Sequence, residues 1–309
     1  MTDSSSHHLK AVLQALFVTF LWATSWVLIK IGLRDLPALS FAGLRYLLAF
    51  LVLLPLALRP AARTRLRELP PRRWGSLILL GLLLYSVTQG AQFVSLVYLP
   101  AATASLLLSF TIVLVAFIGA AALHERPTWL QWLGIALYLG AVGLYYQRPS
   151  GGLGGATGGV TVGYIVALVG VLANALAAVL GRQVNRERSL DPLTITTVSM
   201  GVGSLVLFAI GLLLQGLPRL TLANWLIVLW LAVVNSAFAF TLWNRTLQEL
   251  SAMESSLINN TMLFQIALLA WIFLGEALTP LQWLSLGVAV VATVLVQIKP
   301  RAAAKSTLG

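Results

Sequence analysis

Polar side chains recur at helical spacing inside segments that are otherwise apolar. Tyr85, Gln89 and Gln92 fall at i, i+4 and i+7, on one face of a helix. Ser105 stacks over Ser109 and Ser256 over Asn260, with Asn259 alongside. Trp22, Ser25 and Trp26 share another run, and Asn174 stands in a fourth. Amides, hydroxyls and indoles bind small polar molecules by hydrogen bonding and stacking. In hydrocarbon such a group is costly unless it is paired or faces water, so each position marks either a helix–helix contact or a ligand cavity. Isolated serines and threonines fit the contact reading. The Tyr85–Gln89–Gln92 stripe and the Asn259–Asn260 pair fit both readings equally, because several polar groups share one depth. Trp22, Trp26 and Trp243 fit plain packing or substrate stacking.

Charge is scarcer. Arg45 is the only charged residue well inside an apolar run, seven residues past its start. At a rise of about 1.5 Å per residue it sits roughly 10 Å deep. Its planar fork suits a carboxylate or phosphate; alternatively the long side chain snorkels or caps neighbouring carbonyls. Glu125 and Glu276 close apolar runs at the membrane surface, where structural pairing is expected, with gating as the alternative. Glu254 stands in the first turn of a late run, and no carboxylate lies near mid-depth. Either coupling is weak and transport runs largely downhill, the favoured reading, or coupling uses Glu254 in an unusual place.

The same inventory excludes other chemistries. The chain has no cysteine, and its histidines are His7, His8 and His124. Neither a metal set, a cofactor site nor a nucleophile with its base can be assembled within the apolar runs, so an enzyme is not expected. A net charge of +11 could suit nucleic acid, but the basic residues sit in short loops beside apolar runs, so none is expected to bind. Of 309 residues 59% are hydrophobic and 9% charged, and the mean hydropathy is +0.91. Soluble domains carry about 25% charged residues, so the partner of this surface is a lipid bilayer.

These side chains must be held by membrane-spanning helices. A span needs about 20 apolar residues. Ten such runs are read at 11–31, 38–58, 74–97, 100–122, 129–147, 161–181, 192–214, 224–244, 251–274 and 280–298. Residues 1–10 read as a disordered cytoplasmic tail, 150–160 as a Gly-rich external linker, and 301–309 as a second cytoplasmic tail. With the N-terminus inside, fifteen basic residues face the cytoplasm: Lys10, Arg59, Arg63, Arg65, Arg67, Arg72, Arg73, Arg126, Arg182, Arg186, Arg188, Arg245, Lys299, Arg301 and Lys305. Four face outward, namely Lys30, Arg34, Arg148 and Arg219. That bias predicts cytoplasmic termini.

Residues 74–149 recur without a gap 151 positions later as 225–300. Trp74 falls on Trp225, Ser105 on Ser256 and Glu125 on Glu276, while Tyr85, Gln89 and Gln92 fall on Ser236, Phe240 and Trp243. Two five-helix units, 11–149 and 161–300, joined by an external linker would enter the membrane with opposite polarity. Such inverted repeats give alternating access, because the two units fit together in two nearly equivalent ways. The first two spans of each unit do not align without gaps.

The runs FLWATSWVLIKIGL and FAGLRYLLAF, followed by the pair LHERPTWLQWLGIALYLGAVGL and LGEALTPLQWLSLGVAVVATVL, resemble the EamA family of the drug/metabolite transporter superfamily. The resemblance implies a ten-helix carrier, many members of the family being exporters of amino acids or other small metabolites. It also implies a helix-bending proline where this chain has Thr111 in the fourth span and Met262 in the ninth. The expectation is an all-α polytopic carrier of the bacterial plasma (inner) membrane, monomeric or weakly dimeric. It would export small neutral or zwitterionic metabolites of amino-acid type, aromatic or apolar ones favoured. Its expected pocket is Trp22, Ser25, Trp26, Arg45, Tyr85, Gln89, Gln92, Ser109, Asn174, Ser236, Phe240, Trp243, Asn259 and Asn260. An exchanger of sugar phosphates or nucleotide sugars would need several buried cations, and a channel remains a further alternative.

Overall fold

The computed structural model describes residues 2–57, 59–123, 128–146, 157–186, 190–250 and 252–297, and every regular element among them is helical. In chain order these are α1 (Thr2–Gly32), α2 (Ala38–Ala57), α3 (Pro60–Arg67) and α4 (Pro71–Gly81). A π-helical segment, π1 (Leu82–Thr88), joins α4 to α5 (Gln89–Tyr98). Then come α6 (Ala101–Ser109), α7 (Thr111–Leu123), α8 (Trp129–Tyr146), α9 (Thr157–Arg186), α10 (Pro192–Gln215) and α11 (Leu222–Ala232). A second π segment, π2 (Val233–Phe238), leads into α12 (Ala239–Glu249), followed by α13 (Ala252–Leu274) and α14 (Pro280–Gln297).

Among the described residues, five helical stretches are long and apolar enough to cross a bilayer: His8–Gly32, Ala38–Ala57, Pro71–Tyr98, Gly158–Gly181 and Pro192–Gln215. Shorter apolar stretches cover Ala101–Val115, Leu222–Phe238, Thr261–Leu274 and Pro280–Val296. The chain is thus an all-helical, polytopic membrane protein. Large side chains such as Phe17, Leu168, Leu213 and Ile272 are exposed, as a surface solvated by lipid tails allows. Trp129, Trp132 and Trp225 are also exposed near helix starts, the position of interfacial anchors.

Local chemistry explains the ends. Asp191 caps α10 by accepting from the Thr194 backbone N–H at 3.0 Å, with Pro192 filling the first turn. Gly216 (φ 76°) ends that helix, and Gly275 (φ 67°) follows α13; both take the left-handed conformation that glycine adopts without strain. The strongest sequence echo, TWLQ at 128–131 and TPLQ at 279–282, turns out to be a pair of capping boxes. Thr128 N–H donates to Gln131 Oε1 and Thr279 N–H to Gln282 Oε1, both at 2.9 Å. In return the glutamine N–H groups donate to Thr128 Oγ1 at 3.4 Å and Thr279 Oγ1 at 3.3 Å.

The repeat extends to the irregularities, since π1 begins 151 residues before π2. Packing follows the same exchange. α1 packs on α12 and α13, and α9 packs on α5, α6 and α7. α10 packs on α4 and π1, as α2 does on α11 and π2. Along α2 against α10, α8 against α14 and α6 against the first half of α13, an element meets its own counterpart. The two sets of helices are therefore related by an approximate twofold exchange. The α2–α10 seam is close enough to require glycine: a Cβ on Gly43 would stand 2.6 Å from Phe208 N, and one on Gly211 2.5 Å from Ser40 N.

The structure departs from the sequence reading at five points. The tail at 1–10 is helical from Thr2 onward, as a continuation of α1, and residues 157–160 of the expected linker belong to α9. The third and eighth spans are not uniform α-helices but carry the π segments. The fourth span breaks at Phe110 without a proline, whereas α13 runs unbroken through Met262. A short helix, α3, occupies part of the loop after the second span.

Replacing Gly211 with valine should force the α2–α10 seam apart. Overpacking of this kind costs about 1–3 kcal/mol. Thermal unfolding in detergent should show a midpoint several degrees lower for Gly211→Val, with Gly140→Ala, which meets nothing within 4 Å, close to the parent.

Candidate functional site

Helices α1, α2, α5, α6, α7, α9, α12, α13 and α14 surround a central cavity of about 380 Å³. Of the residues expected to form a pocket, it is lined by Trp22, Ser25, Trp26, Arg45, Gln89, Gln92, Ser109, Asn174, Phe240 and Asn259, together with Ser105, Thr111 and Met262. Tyr85, Ser236 and Trp243 do not line it. Tyr85 sits in π1, buried, with its ring 5.6 Å from that of Tyr46. The π segment adds a residue to the turn, so the stripe that would be continuous on an ideal helix is broken between Tyr85 and Gln89. Trp243 packs on Trp22 at 5.3 Å, as Phe240 does, making a three-ring cluster. Asn260 lies on α13, and its side chain, like that of Ser256, is outside the described residues, as is Glu125.

Arg45 does not snorkel. Its side chain is 4% exposed, and its Nε donates to Ser236 Oγ at 3.3 Å. The guanidinium carbon lies 4.9 Å from the Tyr46 ring centroid and 6.0 Å from that of Phe93. Aromatic faces stabilise a cation in a dry setting but do not neutralise it. Among the described residues lining the cavity, Arg45 is the one charged group and no carboxylate faces it. Tyr46 next to it donates to Gln89 Oε1 at 2.6 Å, which orients the amide and leaves the Gln89 NH2 as the donor end.

Most serines near the cavity are satisfied locally. Ser25 donates to Trp22 O, Ser105 to Ala102 O and Ser109 to Ser105 O, at 2.6, 2.9 and 2.8 Å. Their hydroxyls retain only acceptor capacity. Asn174 donates to Thr111 Oγ1 at 3.3 Å, tying α9 to the start of α7.

Tyr46, Thr88, Asn235 and Thr293 also line the cavity and were not expected there. Asn235 and Thr293 are polar residues in apolar runs, the same signal that marked the others. Asn235 holds π2 against α1: its Nδ2 donates to Leu21 O and, at 3.2 Å, to Thr24 Oγ1, while Trp22 Nε1 donates to Asn235 O at 3.1 Å. Tyr46 carries no such signal, since a tyrosine beside an intramembrane arginine reads as packing.

A second, outer cavity of about 880 Å³ lies at one end of the bundle, lined by Lys30, Arg34, Thr103, Tyr145, Tyr146, Tyr164, Glu276 and Gln282 among others. Lys30, placed in a loop-side position by sequence, turns inward and donates to Leu96 O at 2.5 Å and Leu99 O at 2.7 Å. Glu276 accepts from Ala101 N at 2.7 Å and Ala102 N at 3.2 Å.

Comparison with known proteins places these cavities in context. The profile of the EamA-like transporter family matches residues 9–147 and again 161–298. An uncharacterized inner membrane transporter of Escherichia coli K12, YedA, is 28% identical over 92% of this chain and 90% of its own length. An uncharacterized transporter of Bacillus subtilis, YvbV, is 30% identical over a shorter match, 44% of this chain and 43% of that protein. A solved crystal structure superposes with a TM-score of 0.67 at 18% identity, covering 93% of this chain and 96% of the other, a likeness of fold. The double profile match includes the first two spans of each unit, whose duplication is not visible in an ungapped self-alignment.

Replacing Asn235 with leucine should unfasten π2 from α1. Leaving buried groups without partners costs about 1–3 kcal/mol. Asn174→Leu removes a single 3.3 Å bond and should cost less. Thermal unfolding of the two variants side by side checks the order.

Proposed function

We propose that this chain, which belongs to the EamA-like transporter family, carries small carboxylate-bearing metabolites of amino-acid type across the inner membrane by alternating access. That it is a multi-pass inner-membrane transporter follows from the family, from its likeness to YedA and from its apolar helices. The substrate, the direction and the mechanism are our own reading. Ten helices crossing the bilayer, with both termini in the cytoplasm, accord with the distribution of basic residues. The two profile matches are then two inverted units, 11–149 and 161–300 with the linker between them outside, and the twofold exchange of contacts supports that pairing.

One observation carries the substrate class: Arg45 lies buried at the cavity without a carboxylate partner among the described lining. Burying a cation costs several kcal/mol, and an anionic group on the substrate offsets it. A carboxylate is the smallest anion whose two oxygens match the guanidinium fork. The amides of Gln89, Gln92, Asn174 and Asn259 offer neutral donors and acceptors to the rest of the molecule, and the rings of Trp22 and Phe240 offer apolar contact. A single cation in a cavity of about 380 Å³ disfavours sugar phosphates and nucleotide sugars, which carry more charge and bulk. Export rather than uptake follows the habit of the family.

The test is uptake into liposomes of a panel of labelled amino acids, hydroxy acids and sugar phosphates. Arg45→Gln should lower kcat/KM for carboxylates by about 10–150-fold, the equivalent of one charged hydrogen bond of about 1.5–3 kcal/mol. The amide of the same amino acid, which lacks the carboxylate, should change little. Equal losses for acid and amide would assign Arg45 to structure instead.

A further inference from the structure

The corner between α5 and α6 is a break in a spanning hairpin. α5 stops at Leu99, whose backbone is extended (φ −114°, ψ 149°), and Pro100 supplies no N–H. Carbonyls at the end of α5 and N–H groups at the start of α6 therefore lack partners within their helices. Two charged side chains supply them. Lys30 of α1 donates to Leu96 O and Leu99 O, and Glu276, in the turn between α13 and α14, accepts from Ala101 N and Ala102 N. A cation on a helix C-terminus and an anion on an N-terminus are the favourable signs, and both bonds are charge-assisted. Lys30 lies in the first profile match and Glu276 in the second, so the corner joins the two units.

Its position gives the contact a further consequence. On α6, Thr103 lines the outer cavity, while Ser105, Leu108 and Ser109 line the central one. Thr103 is hydrogen-bonded to Tyr145 at 3.2 Å, and Ala102 and Leu106 are fully buried. The first turn of α6 thus forms part of the partition between the two cavities, and the corner holds that turn in place. The repeat places Leu250 opposite Leu99 and Glu125 opposite Glu276 in sequence, while Lys30 falls on Gly181, so the lysine arm of the corner is not repeated at that offset.

We propose that Lys30 and Glu276 are positioning residues for transport: a clamp between the two units that keeps the partition closed, so that breaking it opens the central cavity to the outer one. Transport through this face requires the clamp to open in each cycle. The proposal does not depend on which substrate is carried.

The natural absence of cysteine makes the test direct. Leu108→Cys places a thiol at the central cavity and Val97→Cys one at the outer cavity. Each is labelled in sealed vesicles with a membrane-impermeant thiol reagent applied from the outer-cavity face, without substrate. Glu276→Gln, which keeps a neutral acceptor for α6, and Lys30→Met, which keeps the apolar stem, should each speed labelling at position 108 at least tenfold and leave position 97 unchanged. Combining them should add little, because both act on one corner. Lys30→Arg should restore slow labelling. Unchanged labelling at 108 in both variants, with position 97 still reactive, overturns the proposal even if thermal stability falls; a purely structural cap gives that result. Should Glu276→Gln fail to fold, Lys30→Met decides alone, since it leaves the Glu276 cap intact. Loss of the Arg45 reading would leave these rates untouched.

Discussion

In hydrocarbon a backbone N–H or C=O without a partner costs several kcal/mol, so a spanning chain leaves the α-helix only where another group takes over. This chain leaves it repeatedly, and each departure is matched. In π1 the Thr88 hydroxyl donates to Leu83 O at 2.8 Å, and in π2 that of Ser236 donates to Leu231 O at 2.9 Å; both bonds span five residues. At the α5–α6 corner Lys30 and Glu276 serve the freed groups. At Phe110 the chain tightens, with the N–H donating to Leu107 O at 3.0 Å. Thr88, Leu108 and Thr111 all line the central cavity, so the irregular backbone and the polar cavity occupy the same depth. Broken helices at mid-membrane are tolerated where they border a cavity, and here they build one.

The repeat pairs the two π segments but does not make the chemistry symmetric. π1 and π2 start at matching positions, yet Thr88 and Ser236 are not repeat mates: Ser236 corresponds to Tyr85. The substitution decides what each side of the cavity can accept. A tyrosine in place of Ser236 would fill the space in which Arg45 meets π2. Arg45 itself has no charged counterpart, since α10 carries no charged residue between Pro192 and Gln215. One part of the lining is therefore amide and guanidinium, and another is the rings of Trp22 and Phe240, with Trp243 packed on Trp22 outside the lining. The scaffold supplies two related arrangements of helices, while the asymmetry would orient a ligand of the proposed kind, with one charged end and one apolar part.

Composition and span length made several helices legible in the sequence: the runs at 38–58, 192–214 and 280–298 begin where α2, α10 and α14 begin. The polar positions were legible for the same reason, because a polar residue in an apolar run has few uses, and ten of the fourteen expected pocket residues line the cavity. The residues misplaced were those where phase mattered. Tyr85, Gln89 and Gln92 share a face at 100° per residue, and one π turn shifts that face; nothing in LLLYSVT announces the extra residue. Lys30 was misjudged for a related reason. At the end of a run it reads as a loop cation, and only the neighbouring helix ends, with their unpaired carbonyls, turn it inward. Helix identity depends on local composition, whereas side-chain direction depends on partners distant in sequence.

Arg45 poses the energetic question on which a carrier depends. At an effective dielectric of about 20, a carboxylate at about 4 Å gains roughly 4 kcal/mol, close to a thousandfold in affinity. Held that tightly, a substrate would leave slowly unless the site were rewetted. Arg45 already has a hydroxyl at Nε and an aromatic face at 4.9 Å, so its cation is partly accommodated before any ligand arrives. That reduces the gain on binding and, with it, the barrier to release. A carboxylate partner within the protein would have removed the gain altogether, and a bare arginine would have made release the slow step. On the proposed mechanism, one hydroxyl and two rings lie between these extremes, where a carboxylate substrate could both bind and depart.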